Sequence, residues 1–78
     1  MKRGENLKNK WARNYPNISK EVEAKGLKLA FLAGAAGLTY RQLYGRLRNE
    51  IDFELPVMRK ISKTLGKSMD YLFNEKNF

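Results

Sequence analysis

The chain has no cysteine and no histidine among its 78 residues. Without thiols there is no disulfide framework. Without thiols or imidazoles, the usual ligands of a structural zinc site and the commonest general base are both missing. Acids are scarce as well: eight Asp and Glu stand against sixteen Lys and Arg, a formal charge of +8. β-Branched residues are few and do not alternate with polar ones, which argues against strands. The longest uncharged run, Leu29 to Tyr40, covers twelve residues and includes Gly34 and Gly37, whereas crossing a bilayer takes about 20 apolar residues. No membrane span is expected, the basic N-terminus lacks the apolar block of a signal peptide, and the expected location is cytoplasmic. No nucleophile with a base or oxyanion arrangement is visible, so neither an enzyme activity nor a cofactor or metal is expected.

What is present is a small domain's worth of apolar residues, 42% of the chain, beside 31% charged residues. That fraction can bury a core, so the chain reads as globular rather than disordered. A field of this sign favours polyanions, with nucleic acid ahead of a membrane surface or an acidic protein. Pro16, Gly26, Gly37, Pro56 and Gly66 divide the chain into pieces of helical length.

The first piece, Met1 to Tyr15, carries five cations against Glu5 alone, yet Leu7, Trp11 and Tyr15 recur every fourth residue. If Glu5 to Asn14 were helical they would form one apolar stripe, so this part is expected to dock on the domain. A helix from about Asn17 to Lys25 follows, with Pro16 near its start, Ile18 and Val22 inward and Gly26 as its stop. Glu21 and Glu23 lie on different faces, which excludes a catalytic pair; both are expected to suit the helix dipole.

The stretch "LAFLAGAAGLTYRQLYGRLRN", Leu29 to Asn49, joins a small-residue segment to an arginine-rich one. Leu29 to Ala35 reads as a short helix and Gly37 as a sharp turn. Thr39 is the N-cap of the next helix, since Thr-x-x-Gln ending at Gln42 forms a capping box. Ala33 and Ala36 let the two helices approach closely at a steep angle, the requirement of a helix-turn-helix. Further on, Phe53 and Met58 have staple spacing around a helix that starts near Glu54 to Pro56. Met58, Ile61 and Leu65 continue its inner face and Gly66 ends it, and Ser68 caps a last helix through Phe73 with Asp70 in its first turn.

The spacing of Ala33, Gly37 and Leu38, followed by Leu43 and Leu47 and then "FELPVMRKISKTLGKSMDYLF", resembles the phage repressor and Cro type of helix-turn-helix domain. The resemblance covers Ile18 to Phe73. It implies an all-α, five-helix lambda-repressor-like domain with a basic N-terminal extension. Residues 1–16 are then the extension, partly docked or helical, 17–74 the helix-turn-helix domain and 75–78 a C-terminal tail. Two positions depart from the pattern. Leu29 stands where many members carry a phosphate-contacting Gln, a contact that Lys28 is expected to replace. Phe31 stands where a polar surface residue is usual. Together Leu29 and Phe31 form an apolar surface needing cover, with Trp11 and Tyr15 the expected cover and a dimer contact the second.

With Leu43 and Leu47 inward and residues placed at about 100° steps, the outer face of the Thr39 to Arg48 helix presents Arg41, Gln42, Tyr44, Gly45 and Arg48. Arg reads guanine bidentately, Gln reads adenine or touches a phosphate, and Tyr offers a hydroxyl or a ring to a thymine methyl. Gly45 is unfavourable in a helix by about 1 kcal/mol against Ala, and close backbone approach to DNA is its expected compensation. Arg46 with Glu50, and Arg48 with Asp52, have the spacing of i to i+4 surface pairs, whereas Arg41 has no acid at i±3 or i±4. The acids Glu50, Asp52 and Glu54 read as solvated or paired rather than as a metal site. Lys60 and Lys63 read as solvated helix lysines, and Tyr40 sits at the core boundary.

The DNA-binding set is therefore Lys28, Thr39, Tyr40, Arg41, Gln42, Tyr44, Gly45 and Arg48. The expected function is that of a sequence-specific transcriptional regulator, Cro- or repressor-like and of phage or prophage type. Its expected partner is an operator in double-stranded DNA, bound as a homodimer, and no separate dimerisation domain is expected in a chain this short. The competing reading is a helical protein-interaction module, such as an antirepressor or recombination accessory factor, using Leu29, Phe31 and Tyr44.

Overall fold

The computed structural model describes residues 10–73. A single 3₁₀ turn, Lys10–Arg13, leads into five α-helices: α1 (Pro16–Ala24), α2 (Leu29–Ala35), α3 (Tyr40–Leu47), α4 (Leu55–Leu65) and α5 (Met69–Phe73). No strand occurs among the described residues, and none of their helices is long and apolar enough to cross a membrane.

The N-terminal segment belongs to the core from Trp11 onward. Trp11 is 4% exposed and Tyr15 3%, so both aromatics dock as their spacing predicts; Leu7 lies outside the described residues. The local conformation is a tight turn rather than an α-helix, with the Asn14 and Tyr15 amides both donating to the Trp11 carbonyl at 2.9 and 3.1 Å. Pro16 explains the break, because its ring pushes the preceding residue out of the helical region and Tyr15 sits at φ −134°, ψ 68°. The Tyr15 ring meets Phe53 edge-on at 5.3 Å and Phe73 at 6.0 Å, and Phe53 meets Phe73 at 5.1 Å. Such edge-to-face sets stabilise a core beyond the area they bury.

The expected cover over α2 is not made. The 3₁₀ turn packs on α1 and α3, Leu29 is half-buried against the core, and Phe31 stands 58% exposed. Phe31 points away from the inward row because Leu32 and Ala33, the next two positions, occupy it.

Two asparagines tie helix ends together. Asn14 Nδ2 donates to the Leu47 carbonyl at 3.0 Å and Asn17 Nδ2 to the Tyr71 carbonyl at 2.8 Å. These are carbonyls near helix ends, where intrahelical partners run out. Glu21 corrects its expected role: neither it nor Glu23 is in the first turn of α1. Glu21 is buried instead and accepts from Lys25 Nζ at 3.1 Å and the Tyr71 hydroxyl at 3.2 Å. The hydrogen bond from Lys25 holds its carboxyl below the ordinary range, against the opposite pull of burial.

Ile18, Leu32, Leu43, Leu47, Ile61, Leu65 and Leu72 are fully buried and draw on all five helices. Each contributes about 1.5–3 kcal/mol of transfer free energy as an upper estimate. Helix α4 runs from Leu55 to Leu65, with Phe53 and Met58 half-buried at its start and Gly66 at its end. Ser68 Oγ accepts from the Tyr71 amide at the start of α5.

Candidate nucleic-acid interface

The turn between α2 and α3 is built by backbone geometry. Gly37 adopts φ +78°, its amide donates to the Gly34 carbonyl at 3.0 Å, and the Leu38 amide donates to the Ala33 carbonyl at 2.8 Å. This pair of bonds closes a helix around a left-handed residue, a conformation that glycine adopts without a Cβ penalty. Ala33 and Ala36 are buried at the junction, where small side chains let α2 and α3 pack closely. Two residues after Gly37, the capping box predicted for Thr39 is complete. Thr39 Oγ1 accepts from the Gln42 amide at 3.1 Å, and Gln42 Oε1 accepts from the Thr39 amide at 2.9 Å.

The end of α3 is where the expected pairings change. Asn49 takes φ +69°, its amide donates to the Arg46 carbonyl, and the Glu50 amide donates to the Gly45 carbonyl at 2.9 Å. The helix therefore closes after Leu47 in the same way as α2, with asparagine in the left-handed position. With the chain turned there, the i to i+4 pairs do not form. Arg48 Nη2 pairs with Glu50 Oε2 at 3.1 Å instead of with Asp52. Arg46 reaches Glu54: its Nε and Nη2 lie 3.3 Å from the carboxylate oxygens, while Nη1 donates to the Gln42 carbonyl at 2.9 Å. The Arg46 guanidinium beside Glu54 holds that carboxyl below the ordinary range, and Arg46 itself is only 8% exposed.

The outer face of α3 carries most of the residues its spacing predicts. Tyr40, Arg41, Gln42 and Arg48 are exposed and Tyr44 is half-buried. Tyr40 and Tyr44 stack with ring centroids 5.6 Å apart and planes 12° apart, and the Arg48 guanidinium lies 5.5 Å from the Tyr44 ring centre. Tyr40, placed at the core boundary by its position in the chain, is half exposed and part of this ladder. Arg41 has no ion-pair partner among the described residues. Gln42 is exposed, and its Oε1 already accepts one hydrogen bond from the cap. Gly45 is not bare backbone: a Cβ there would meet Glu50 Oε1 at 3.6 Å and Ile51 Cδ1 at 4.0 Å. Side-chain ends of the returning loop therefore lie beside Gly45 at ordinary contact distance.

Lys28 is exposed at the N-cap of α2. Lys60, read from its spacing as one more solvated lysine, brings its ammonium to 3.4 Å from where a Gly37 Cβ would stand, beside the turn. Only the packing of α4 against α2 puts it there. The acids of the loop are drawn off singly, Glu50 to Arg48 and Glu54 to Arg46, and no group of three potential metal ligands forms among the described residues.

A capped helix of eight residues, set by a glycine turn against its predecessor and edged with cations, is the arrangement of a DNA-reading unit. The family model described as Helix-turn-helix matches residues 18–72. The chain belongs to that family. No curated protein and no solved structure matches it. As a helix-turn-helix protein of this kind it is a DNA-binding transcription regulator. The matched span runs from Ile18 in α1 to Leu72 in α5 and so reaches into every α-helix. The aromatic anchor at Trp11 and Tyr15 lies before it.

Proposed function

We propose that this helix-turn-helix protein is an operator-binding regulator of the Cro or repressor type, of phage or prophage kind, that reads DNA with α3 in the major groove. Arg41 carries the reading: it is exposed in the first turn of a capped helix and has no ion pair among the described residues. Arg48 supports it from the far end. Its partner Glu50 is exposed, and an exposed pair is weak enough for a phosphate or a guanine edge to displace. The stacked Tyr40 and Tyr44 supply rigid ring faces and hydroxyls between them, while Thr39 and Gln42 hold the helix start. Lys28 is assigned to a phosphate, a contact that fixes register without reading sequence.

Binding is as a homodimer on a pseudo-palindrome whose half-sites lie about 34 Å apart, one helical turn. The test is a mobility shift of the full chain on DNA flanking its own gene, in moderate salt with excess competitor. Selective, cooperative retardation is expected. Retardation that competitor abolishes on every fragment contradicts the reading. Within the same assay, Lys28→Ala should weaken selective and non-selective DNA alike and lower the salt slope by about one unit.

A second reading has one observation in its favour. Phe31 is a large aromatic left 58% exposed on an uncharged helix, as in a protein-interaction module. Leu29 contributes little to it, being half-buried toward the core. An unselective result in the mobility shift favours this reading.

A further inference from the structure

Arg46 lies on the reading helix of a DNA-binding domain, yet its charge is turned inward. Of its guanidinium groups, Nη1 bonds the Gln42 carbonyl, while Nε and Nη2 both reach the carboxylate of Glu54. Glu54 is the N-cap residue of α4, and its side chain makes no capping bond to its own helix. It serves the neighbouring helix instead. Gln42 is in turn the partner of Thr39 in the capping box. One polar line therefore runs from the start of α3, through Gln42 and Arg46, to the start of α4. That second helix is fixed in the core by Ile61 and Leu65.

We propose that Arg46 and Glu54 form a positioning clamp that sets the angle at which α3 enters the groove, and so determine base selectivity without touching a base. This rests on the reading of α3 as the groove helix. Leu43 and Leu47 bury one side of α3, and apolar contacts are non-directional, so they resist separation better than a small rotation or tilt. A planar guanidinium that engages both carboxylate oxygens is directional. The size of the effect follows from geometry. Eight helical residues are about 12 Å long, so a tilt of about 10° moves one end by about 2 Å, well beyond the roughly 0.5 Å tolerance of a well-made binding constellation.

The clamp makes a prediction opposite in sign to simple electrostatics. Glu54→Gln removes a negative charge from a cationic chain, which by charge alone tightens binding to any DNA. Asp52→Asn, in the same loop, makes the same charge change at an exposed acid that has no ion pair among the described residues. Both variants and Arg46→Lys, which keeps the charge and loses the fork, are titrated on two duplexes, well below their melting midpoints. One is the duplex that the unaltered chain selects from a random pool; the other is its scrambled counterpart. Asp52→Asn should tighten both. Glu54→Gln should tighten the scrambled duplex by the same factor and bind the selected one about tenfold more weakly, as expected for a misplaced reading group. Arg46→Lys should lose selectivity with little change on the scrambled duplex, and it carries the test if Glu54→Gln melts early. If Glu54→Gln follows Asp52→Asn on both duplexes, or Arg46→Lys keeps full selectivity, the clamp has no positioning role. If the unaltered chain selects no duplex at all, the groove reading of α3 falls and takes the clamp with it.

Discussion

The side of the molecule where α1 meets α5 and the outer face of α3 are both furnished with aromatic rings and polar side chains, but the contacts differ in kind. On the first side they join residues far apart in the chain and are wholly or partly buried: Asn14 to Leu47, Asn17 to Tyr71, Glu21 to Tyr71, and Tyr15 to Phe53 and Phe73. On the outer face of α3 they are local and open to water: Thr39 to Gln42, Tyr40 to Tyr44, Tyr44 to Arg48, Arg48 to Glu50. A long-range buried contact fixes one arrangement of the chain, and losing it leaves a polar group or a cavity without compensation. A local exposed contact only pre-arranges a surface, and a ligand can replace it at little loss. The first region is the scaffold and the second the tool it holds.

The sharpest way to break this comparison is to damage the scaffold at its N-terminal aromatic anchor. Trp11→Ala should destabilise the domain by about 3–5 kcal/mol, as for other buried large aromatics, measured by denaturant titration followed by circular dichroism. Loss of less than about 1 kcal/mol would mean that the segment before α1 is dispensable. The intact protein's tryptophan emission should be blue-shifted and should move to the red on unfolding.

Acid tests the same side more gently. The Glu21 carboxyl is held below its ordinary range in the folded state, so the folded protein binds fewer protons there than the unfolded chain. Its contribution is present above the unfolded value of about 4.3 and is lost as pH falls through the folded one. Glu54, lowered chiefly by Arg46, acts in the same direction. The melting temperature should therefore fall in this acid window, and Glu21→Gln should flatten the fall. A variant with the same pH dependence as the unaltered chain would remove Glu21 from the scaffold.

On α3 the expected effects are smaller and reach binding rather than folding. Gly45→Ala should stabilise the domain by about 0.5–1 kcal/mol, since alanine favours the helix and the added methyl meets its neighbours at ordinary contact distance. DNA affinity should be kept. A loss of affinity in a more stable variant would restore Gly45 as a point of close approach to DNA.

Much of this was legible in local spacing. The bounds of α2, the turn at Gly37, the cap at Thr39 and Gln42 and the stop at Gly66 depend on residues within a few positions of one another, and each has a chemical marker in the sequence. The inward rows of α1, α3 and α4 follow in the same way from helical period. What could not be seen depends on chain reversals and on packing between distant elements. The end of α3 is marked by Asn49 rather than by glycine, so the i+4 spacings of Arg46 with Glu50 and of Arg48 with Asp52 fall across a helix end that the spacing alone does not reveal. Glu21 meets Tyr71 across 50 positions, and Lys60 reaches the Gly37 turn only because α4 lies beside α2. The exposure of Phe31 was hidden for the same reason, since the aromatics expected to cover it turned toward α1 and α3.

The most direct test of the division between scaffold and tool is Arg41→Ala, titrated on the selected duplex and its scrambled counterpart across salt concentrations, with thermal melts alongside. The account predicts operator binding weaker by about 1–3 kcal/mol and relaxed preference at one base pair, with a melting temperature unchanged because Arg41 holds no ion pair among the described residues. Unchanged affinity and selectivity in a folded Arg41→Ala protein would contradict it, and the outer face of α3 would then have to be assigned to another partner.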